Sequence, residues 1–136
     1  MQEMVIELMD ANHHDRVLAM TSHVPQLIAY SIVATSTELE KNLKNEVIKY
    51  SAAGFRDFTR LAGSDPIMWR DIYILNKDAI LEMLGRFSED LSSLQKAIRN
   101  NDKKLLEKIF RSTRVIREQI EKAGQAGTFD PREKNN

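Results

Sequence analysis

The chain has 136 residues, the size of one domain or of one part of a larger protein, and its 42% hydrophobic and 29% charged residues exclude wholesale disorder. Lys plus Arg and Asp plus Glu number 20 each, so the formal net charge is zero and no strong field attracts nucleic acid or an anionic membrane. The absence of cysteine excludes disulfide bonds, thiolate metal sites and cysteine nucleophiles.

Several functional classes are further disfavoured by missing motifs. No apolar run approaches the ~18 residues of a membrane-spanning helix, and the N-terminus lacks a secretory charge pattern, so we predict a cytoplasmic protein without a membrane partner. Neither GxGxxG nor GxxxxGKS/T occurs, so no nucleotide site is predicted within this chain. Glutamates alternate with the basic residues of the last helix, which is typical of a solvated face and argues against nucleic-acid binding.

The N-terminal third of the chain predicts one long helix. The apolar run at residues 5–9 is too short for its period to distinguish a strand from a helical lead-in. Asp10 follows with a side chain suited to cap a helix. From Ala11 to Ile32 apolar residues recur at steps of three and four, which predicts an amphipathic helix. Pro25 lies inside it and predicts a kink, because proline removes a backbone donor.

The middle of the chain predicts shorter elements. Thr37 and Glu40 have capping-box spacing and predict a helix that continues to Ile48. Residues 55–61 predict a brief helical turn, and Gly63 is expected to end it.

The C-terminal half predicts two long helices. Residues 64–66 (Ser-Asp-Pro) predict a helix start, and the apolar period then continues for about eight turns to Ile98. Residues 100–102 predict a turn and a new cap before a last helix over 103–123, which Gly124 is expected to end. The residues expected on the buried side of this last helix are Leu105, Leu106, Ile109, Phe110, Ile116 and Ile120.

These elements predict an all-α fold, a helical bundle whose two long C-terminal helices form an antiparallel hairpin. The first of these helices is apolar over a wide arc that includes Tyr73, Ile74 and Leu81. One chain is too small to cover the whole arc, so we predict dimerisation through helix-on-helix packing. The alternative is that these residues pack only within the monomer.

Three segments carry more polar groups than packing requires, and the first joins His13, His14 and Asp15 to Ser22 and His23. On a helix the two clusters share one face. A histidine could donate to a carboxylate or shuttle a proton, and a serine could bind an anion. The alternative for each histidine is a cap or a solvated surface position. The separation of the clusters lacks metal-ligand spacing, so no metal site is predicted.

The second segment centres on two arginines and the third on the single tryptophan. Arg56 and Arg60 lie one helical turn apart, and Asp57 could hold one guanidinium in place while other donors stay available for a carboxylate. The alternative is a surface cluster of ion pairs. Trp69 could pack in the core or form the wall of a pocket.

Four sequence blocks stand in order along the chain: HDR at 14–16, TSHVP at 21–25, GFRDFTRLA at 54–62 and SDPIMWRDI at 64–72. Together they resemble the prephenate/arogenate dehydrogenase family, and specifically its C-terminal helical domain. The resemblance covers roughly residues 5–100, and the last helix fits in pattern only.

The resemblance implies an enzyme that oxidatively decarboxylates prephenate or arogenate on the route to tyrosine, with NAD or NADP as the hydride acceptor. In the family an N-terminal Rossmann domain binds the cofactor, while the helical domain forms the homodimer and closes the substrate cleft. Residues 1–10 then correspond to the end of a missing Rossmann domain, 11–123 to the helical domain and 124–136 to a flexible tail. We therefore expect a fragment without catalytic or cofactor-binding residues of its own, not competent alone.

The resemblance also implies roles for individual residues. Arg60 matches an arginine that grips a substrate carboxylate, and His23 matches a histidine that hydrogen-bonds the substrate in the same pocket. Asp57 and Arg56 match positions that shape an ionic gate beside that arginine.

The remaining matches concern the pocket wall and its mouth. Trp69 matches a wall residue, Ser22 belongs to the same block as His23, and Asp15 matches a polar group near the mouth. Ala53 departs from the glycine of many members, a change that bears on ligand fit and on feedback by L-tyrosine. The competing hypothesis is a non-catalytic helical dimerisation module that senses tyrosine.

Overall fold

The structure is a computed structural model that describes residues 10–39, 41–50 and 53–127. Within these ranges the chain forms helices joined by short turns, with no β-strand, and the predicted all-α class is confirmed. The apolar run at residues 5–9 lies outside the described residues. The chain divides into two compact units, residues 1–88 and residues 89–136.

The first unit is built from short and medium-length helices. A π-helical turn at Ala19–His23 separates the first two helices, and a 3-10 turn at Arg60–Gly63 follows the fourth. The α-helices are α1 (Ala11–Leu18), α2 (Val24–Thr37), α3 (Lys41–Lys49), α4 (Ala53–Thr59), α5 (Pro66–Leu75) and the first part of α6 (Lys77–Arg99).

Two helix starts in this unit are capped by aspartates, as predicted. Oδ1 of Asp10 accepts a hydrogen bond from the backbone N–H of His13 at 3.0 Å. Oδ1 of Asp65 accepts one from the N–H of Ile67 at 2.9 Å. Each carboxylate satisfies a backbone donor that has no partner inside its own helix. Pro66 lies in the first turn of α5, where a missing N–H has no consequence.

The irregularity predicted at Pro25 takes the form of the π-helical turn. The N–H of Val24 bonds to the carbonyl of Ala19, five residues earlier, which widens the helix by one residue. The widening lies directly before Pro25, whose ring would otherwise crowd the preceding turn of a regular helix. As a result, His23 stands at the end of a wide turn instead of within a regular α-helix.

The helical stretch over 11–37 contains a window of 18 residues with a mean hydropathy of 1.4, and by length and composition alone it could span a membrane. By this measure the prediction that no segment approaches that length is wrong. The same composition is typical of a core helix. Here Ala19 and Val24 are buried against other parts of the unit, and the buried amide of Gln26 donates from Nε2 to the carbonyl of Leu61 at 2.6 Å.

The core of the first unit is small. Ala19, Val24 and Ile80 form its buried hydrophobic cluster, and partly buried side chains pack against them: Ile28, Tyr73, Ala79, Met83 and Leu84. The start of α6 is thereby packed against the π-helical turn and the start of α2.

The predicted capping box after α2 is wrong. Thr37 is the last residue of α2, and its hydroxyl donates to the carbonyl of Ala34 at 2.7 Å. A hydroxyl bonded back into its own helix cannot cap the next one. The following helix, α3, begins at Lys41. Glu40, the other half of the predicted box, lies outside the described residues.

The single long helix predicted from residue 66 to residue 98 is also wrong, because it is interrupted at Asn76. This residue has φ −106° and ψ 32°, outside the α-helical region, and it separates α5 from α6. A break of one residue leaves the apolar period on both sides almost in phase, so the pattern does not reveal it.

The second unit contains the rest of α6 and the helix α7 (Lys103–Gly127). Asn101 reverses the chain with φ 53°, and Oδ1 of Asp102 accepts from the N–H of Leu105 at 3.1 Å, as expected for a cap. The predicted end at Gly124 is wrong, since α7 continues to Gly127. A glycine inside a helix costs about 1 kcal/mol, which weakens the helix without ending it.

Much of the side of α7 predicted to be buried is exposed in the single chain. Leu106 and Ile109 are half-buried, but four other residues of that side are exposed: Leu105, Phe110, Ile116 and Ile120. A groove of about 450 Å³ is lined by Leu91, Leu94 and Ile98 of α6 and by Phe110 of α7. The second unit therefore presents a large apolar surface.

The wide apolar arc of the first unit is likewise incompletely covered. Ile74 and Leu81, singled out in the sequence, are 69% and 59% exposed, and Leu75 is 87% exposed. Tyr73 is half-buried. The alternative that all these residues pack inside one chain is therefore wrong for Ile74 and Leu81.

Candidate ligand site

Four side chains meet where the π-helical turn, α5 and the start of α6 come together, and we call them the His23 cluster: His23, Trp69, Tyr73 and Asn76. The rings of His23 and Trp69 meet edge to face, with centroids 6.0 Å apart and an interplanar angle of 78°. The centroid of Tyr73 lies 5.8 Å from that of Trp69, and its hydroxyl donates to the carbonyl of His23 at 3.0 Å. The imidazole is therefore held by aromatic contacts on a fixed backbone.

Asn76 connects this cluster to α1. Its Nδ2 lies 3.1 Å from the carbonyl oxygen of Asp15 and 3.1 Å from Nδ1 of His23. The structure thus brings together Asp15, His23 and Trp69 of the predicted site. Asn76 and Tyr73 were not predicted as site residues. A signal for Asn76 was present, because it follows Trp69 by two helical turns and is the polar residue on that apolar face.

Burial determines the protonation of two members of the cluster. Desolvation lowers the pKa of His23 below its ordinary value of 6.5, and the carboxylate of Asp15 opposes this effect. Burial also raises the pKa of Tyr73 to about 12, with a smaller contribution from Tyr30. At neutral pH the cluster therefore holds a neutral imidazole and a protonated phenol.

The lowered pKa of His23 predicts a pH dependence of stability. The unfolded chain, with a histidine pKa near 6.5, binds more protons than the folded chain between that pH and the folded pKa. The free energy of unfolding should therefore decrease as the pH falls from about 6.5 through the folded pKa, and His23 should have no effect above this interval. Urea denaturation of the wild type and of His23→Gln over this range measures it. An equal decrease in both proteins would contradict the prediction.

The turn that carries Arg60 is fastened to α2, the helix that follows His23. The carbonyl of Leu61 accepts hydrogen bonds from Nε2 of Gln26 at 2.6 Å and from the hydroxyl of Ser64 at 2.7 Å. The hydroxyl of Tyr30 donates to the carbonyl of Ser64 at 3.1 Å. Gln26 is 2% exposed, so its amide acts as a buried brace between the two elements.

The charged side chains of this region do not form the predicted arrangement. Arg56, Asp57 and Arg60 are exposed, and no salt bridge among the described residues involves them. Among the described residues, the ion pair in which Asp57 would hold an arginine fork is therefore not formed. In the described ranges, no hydrogen bond or ring contact connects these three residues to His23 or Trp69. Ser22 is half-buried beside His23.

A salt bridge missed by the sequence analysis lies beside the cluster. Nε and Nη2 of Arg16 bind the two carboxylate oxygens of Glu82, joining α1 to α6, with an Nε to Oε2 distance of 2.8 Å. The pairing raises the pKa of Arg16 and lowers that of Glu82. With Asp15 and Asn76, these residues line an open cleft of about 500 Å³.

The described residues do not fit a nicotinamide cofactor. The backbone cradle for a dinucleotide needs a strand followed by a glycine-rich turn. Among residues 10–39, 41–50 and 53–127 there is no strand, and no glycine has a positive φ. In the same ranges, no three His, Asp or Glu side chains converge as metal ligands would.

Comparison with known proteins places the chain in a family. Residues 10–112 match the family described as prephenate dehydrogenase, dimerization domain. The chain therefore belongs to this family of helical dimerisation domains. It is 42% identical over 112 residues to the cyclohexadienyl dehydrogenase of Zymomonas mobilis, and the matched region covers 82% of this chain and 38% of that protein. It is 34% identical over 110 residues to the prephenate dehydrogenase of Bacillus subtilis, and the matched region covers 81% of this chain and 29% of that protein.

Solved structures agree with the fold. Prephenate dehydrogenase from A. aeolicus, in complex with hydroxyphenyl propionate and NAD+, superposes with a TM-score of 0.70 at 35% identity, over 79% of this chain and 37% of that one. The arogenate dehydrogenase of Synechocystis shares the fold with a TM-score of 0.76 at 22% identity, over 80% of this chain and 40% of that one. The chain thus spans between 29% and 40% of the length of these four proteins.

Proposed function

We propose that the chain is the C-terminal dimerisation and substrate-binding domain of a prephenate dehydrogenase, which oxidatively decarboxylates prephenate with NAD or NADP in tyrosine biosynthesis. The observation that carries the proposal is the His23 cluster, in which a neutral imidazole is fixed against an aromatic wall. The helix that follows His23 also holds the turn of Arg60 in place through Gln26. The ligand in the A. aeolicus relative, hydroxyphenyl propionate, supports an aromatic or ring-derived carboxylate as the ligand class.

The proposed roles follow from the chemistry of each group. Arg60 is exposed and has no ionic partner among the described residues, so both edges of its guanidinium are available for a substrate carboxylate. His23 donates a hydrogen bond to the substrate, and Trp69 forms the wall against which the ring lies.

The remaining predicted residues surround these groups in the proposal. Arg56 and Asp57 form an ionic gate beside Arg60, while Ser22 and Asp15 contribute to the polar mouth of the pocket. We propose a nicotinamide cofactor bound by a separate N-terminal domain, because the residues described in this chain do not fit one. We also propose a cytoplasmic location, and inhibition by L-tyrosine through the same pocket.

A calorimetric titration of the purified chain with prephenate and with L-tyrosine tests the assignment. Binding of prephenate that is lost in Arg60→Ala and retained in Arg86→Ala, a change at another exposed arginine, supports it. Equal binding by the wild type and Arg60→Ala contradicts the site. Binding of tyrosine alone favours the competing hypothesis of a tyrosine-sensing module without catalysis.

We further propose that the chain forms a homodimer and that the exposed apolar faces are covered by a second copy. The groove between α6 and α7 is lined by apolar and uncharged polar side chains, and Ile116 and Ile120 of α7 are also exposed. Membership in a family of dimerisation domains supports this occupant.

Dimerisation predicts a strong effect of one charge in the groove. Phe110→Asp places a carboxylate where an apolar surface is to be buried, so we expect it to shift the chain from dimer to monomer. Sedimentation equilibrium of both proteins at equal concentration measures the shift. Ser112→Asp adds the same charge at an exposed polar position of α7 and should remain dimeric. A dimer of unchanged affinity in Phe110→Asp would exclude this groove from the interface.

A further inference from the structure

The contacts of Asn76 define which atom of its side chain faces which neighbour. The carbonyl oxygen of Asp15, 3.1 Å away, can only accept a hydrogen bond. The amide nitrogen of Asn76 must therefore face it, since the opposite orientation would place two acceptor oxygens in contact. One N–H of Asn76 is thus committed to Asp15, and its second N–H is available for Nδ1 of His23, also 3.1 Å away.

This geometry restricts the imidazole to one of its forms. An amide N–H can bond to Nδ1 only if that nitrogen carries a lone pair, which leaves the proton of the neutral ring on Nε2. The other neutral tautomer and the imidazolium both carry a proton on Nδ1, which would oppose the amide donor. We infer that Asn76 is a positioning residue that holds His23 as the neutral Nε2–H tautomer, so that His23 offers a hydrogen-bond donor to an acceptor oxygen of the ligand.

The surroundings of His23 are consistent with this form. The edge-to-face contact with Trp69 fixes the ring plane, and the hydroxyl of Tyr73 is already used by the carbonyl of His23. Among the described residues, the charged group that acts on the imidazole is the carboxylate of Asp15 from α1. The phenol of Tyr73 from α5 bonds to the backbone carbonyl of His23, and the uncharged amide of Asn76 contacts the ring from the α5–α6 junction.

The proposed role of Asn76 explains the break between α5 and α6. Asn76 leaves the helical conformation, yet its N–H still bonds to the carbonyl of Ile72 at 3.0 Å and its carbonyl accepts from the N–H of Ile80 at 3.0 Å. The backbone hydrogen bonds on both sides are thus retained while the side chain reaches α1 and His23. The inference rests on the proposed function only for the identity of the ligand, because the tautomer is a property of the chain itself.

Nitrogen-15 NMR of the histidine-labelled full chain tests the inference without any ligand. His23→Gln assigns the signals of His23 among the three histidines. In the wild type we expect an unprotonated Nδ1 and a protonated Nε2. In Asn76→Asp the donor becomes an acceptor, so the proton should move to Nδ1 and the proton affinity of His23 should rise by about tenfold or more. Asn45→Asp adds the same charge at an exposed position of α3 and should leave the tautomer unchanged.

A second variant covers the case in which Asn76→Asp does not fold, since its carboxylate would face the carbonyl of Asp15. Asn76→Ala removes the donor without adding a charge, and we expect a mixture of both neutral tautomers. A wild-type ring protonated on Nδ1, or an unchanged tautomer in Asn76→Ala, would overturn the inference. Titration of the same samples with prephenate separates this result from the proposed function. If the wild type has the expected tautomer but does not bind prephenate, only the proposed function is contradicted.

Discussion

Arg60→Ala in the full-length protein is expected to raise KM for prephenate and to lower kcat/KM by about 30- to 1,000-fold, equivalent to about 2–4 kcal/mol. The reason is the loss of the charge-assisted, bidentate contact that we propose between Arg60 and a substrate carboxylate. Arg60 is exposed and forms no salt bridge with any described residue, so its removal breaks no ion pair within the described part of the domain. Steady-state kinetics with prephenate as the varied substrate measures the effect.

Two further variants make this result specific. Arg60→Lys keeps the positive charge but loses the planar fork, so it should recover only part of the activity. Arg86→Ala removes a charge of the same kind elsewhere in the first unit and should leave KM near the wild-type value. Wild-type KM and kcat in Arg60→Ala would show that the assignment of the carboxylate contact is wrong.

Ile80→Ala is expected to lower the free energy of unfolding by about 2–5 kcal/mol. Ile80 is 4% exposed and packs against Ala19 and Val24, so the substitution removes buried apolar atoms and leaves a cavity in a core that has few other members. The backbone N–H of Ile80, which bonds to the carbonyl of Asn76, is kept in this variant, so the expected loss comes from the side chain alone. Urea denaturation at fixed protein concentration measures the loss.

Ile67→Ala is the matched control for the core substitution. It deletes the same atoms at a side chain that is 61% exposed, so the cost should be within about 1 kcal/mol. Similar losses in the two variants would mean that the cluster around Ile80 does not dominate the stability of the first unit.

The candidate site could be predicted in part from sequence. The blocks containing His23, Trp69 and Asp15 lead to residues that the structure brings together around Asn76. The pairing of Asp57 with an arginine could not be predicted reliably, because exposed charges gain little from one another in water and their partners follow from small differences in geometry.

The members that sequence analysis missed are those whose role depends on distant partners. Gln26 braces a turn 35 residues away, and Asn76 contacts residues 53 and 61 positions away. Nothing in the local pattern around either residue indicates those partners. Arg16 and Glu82, which lie 66 residues apart, form a pair for the same reason.

By itself the sequence determined the helical class and the helix starts at Asp10, Asp65 and Asp102, because a capping carboxylate satisfies backbone donors only two or three residues away. Such local interactions do not depend on the conformation of the rest of the chain. The break at Asn76 and the lowered pKa of His23 were decided by tertiary structure, since they depend on desolvation and on hydrogen bonds that exist only after α1, α5 and α6 have come together.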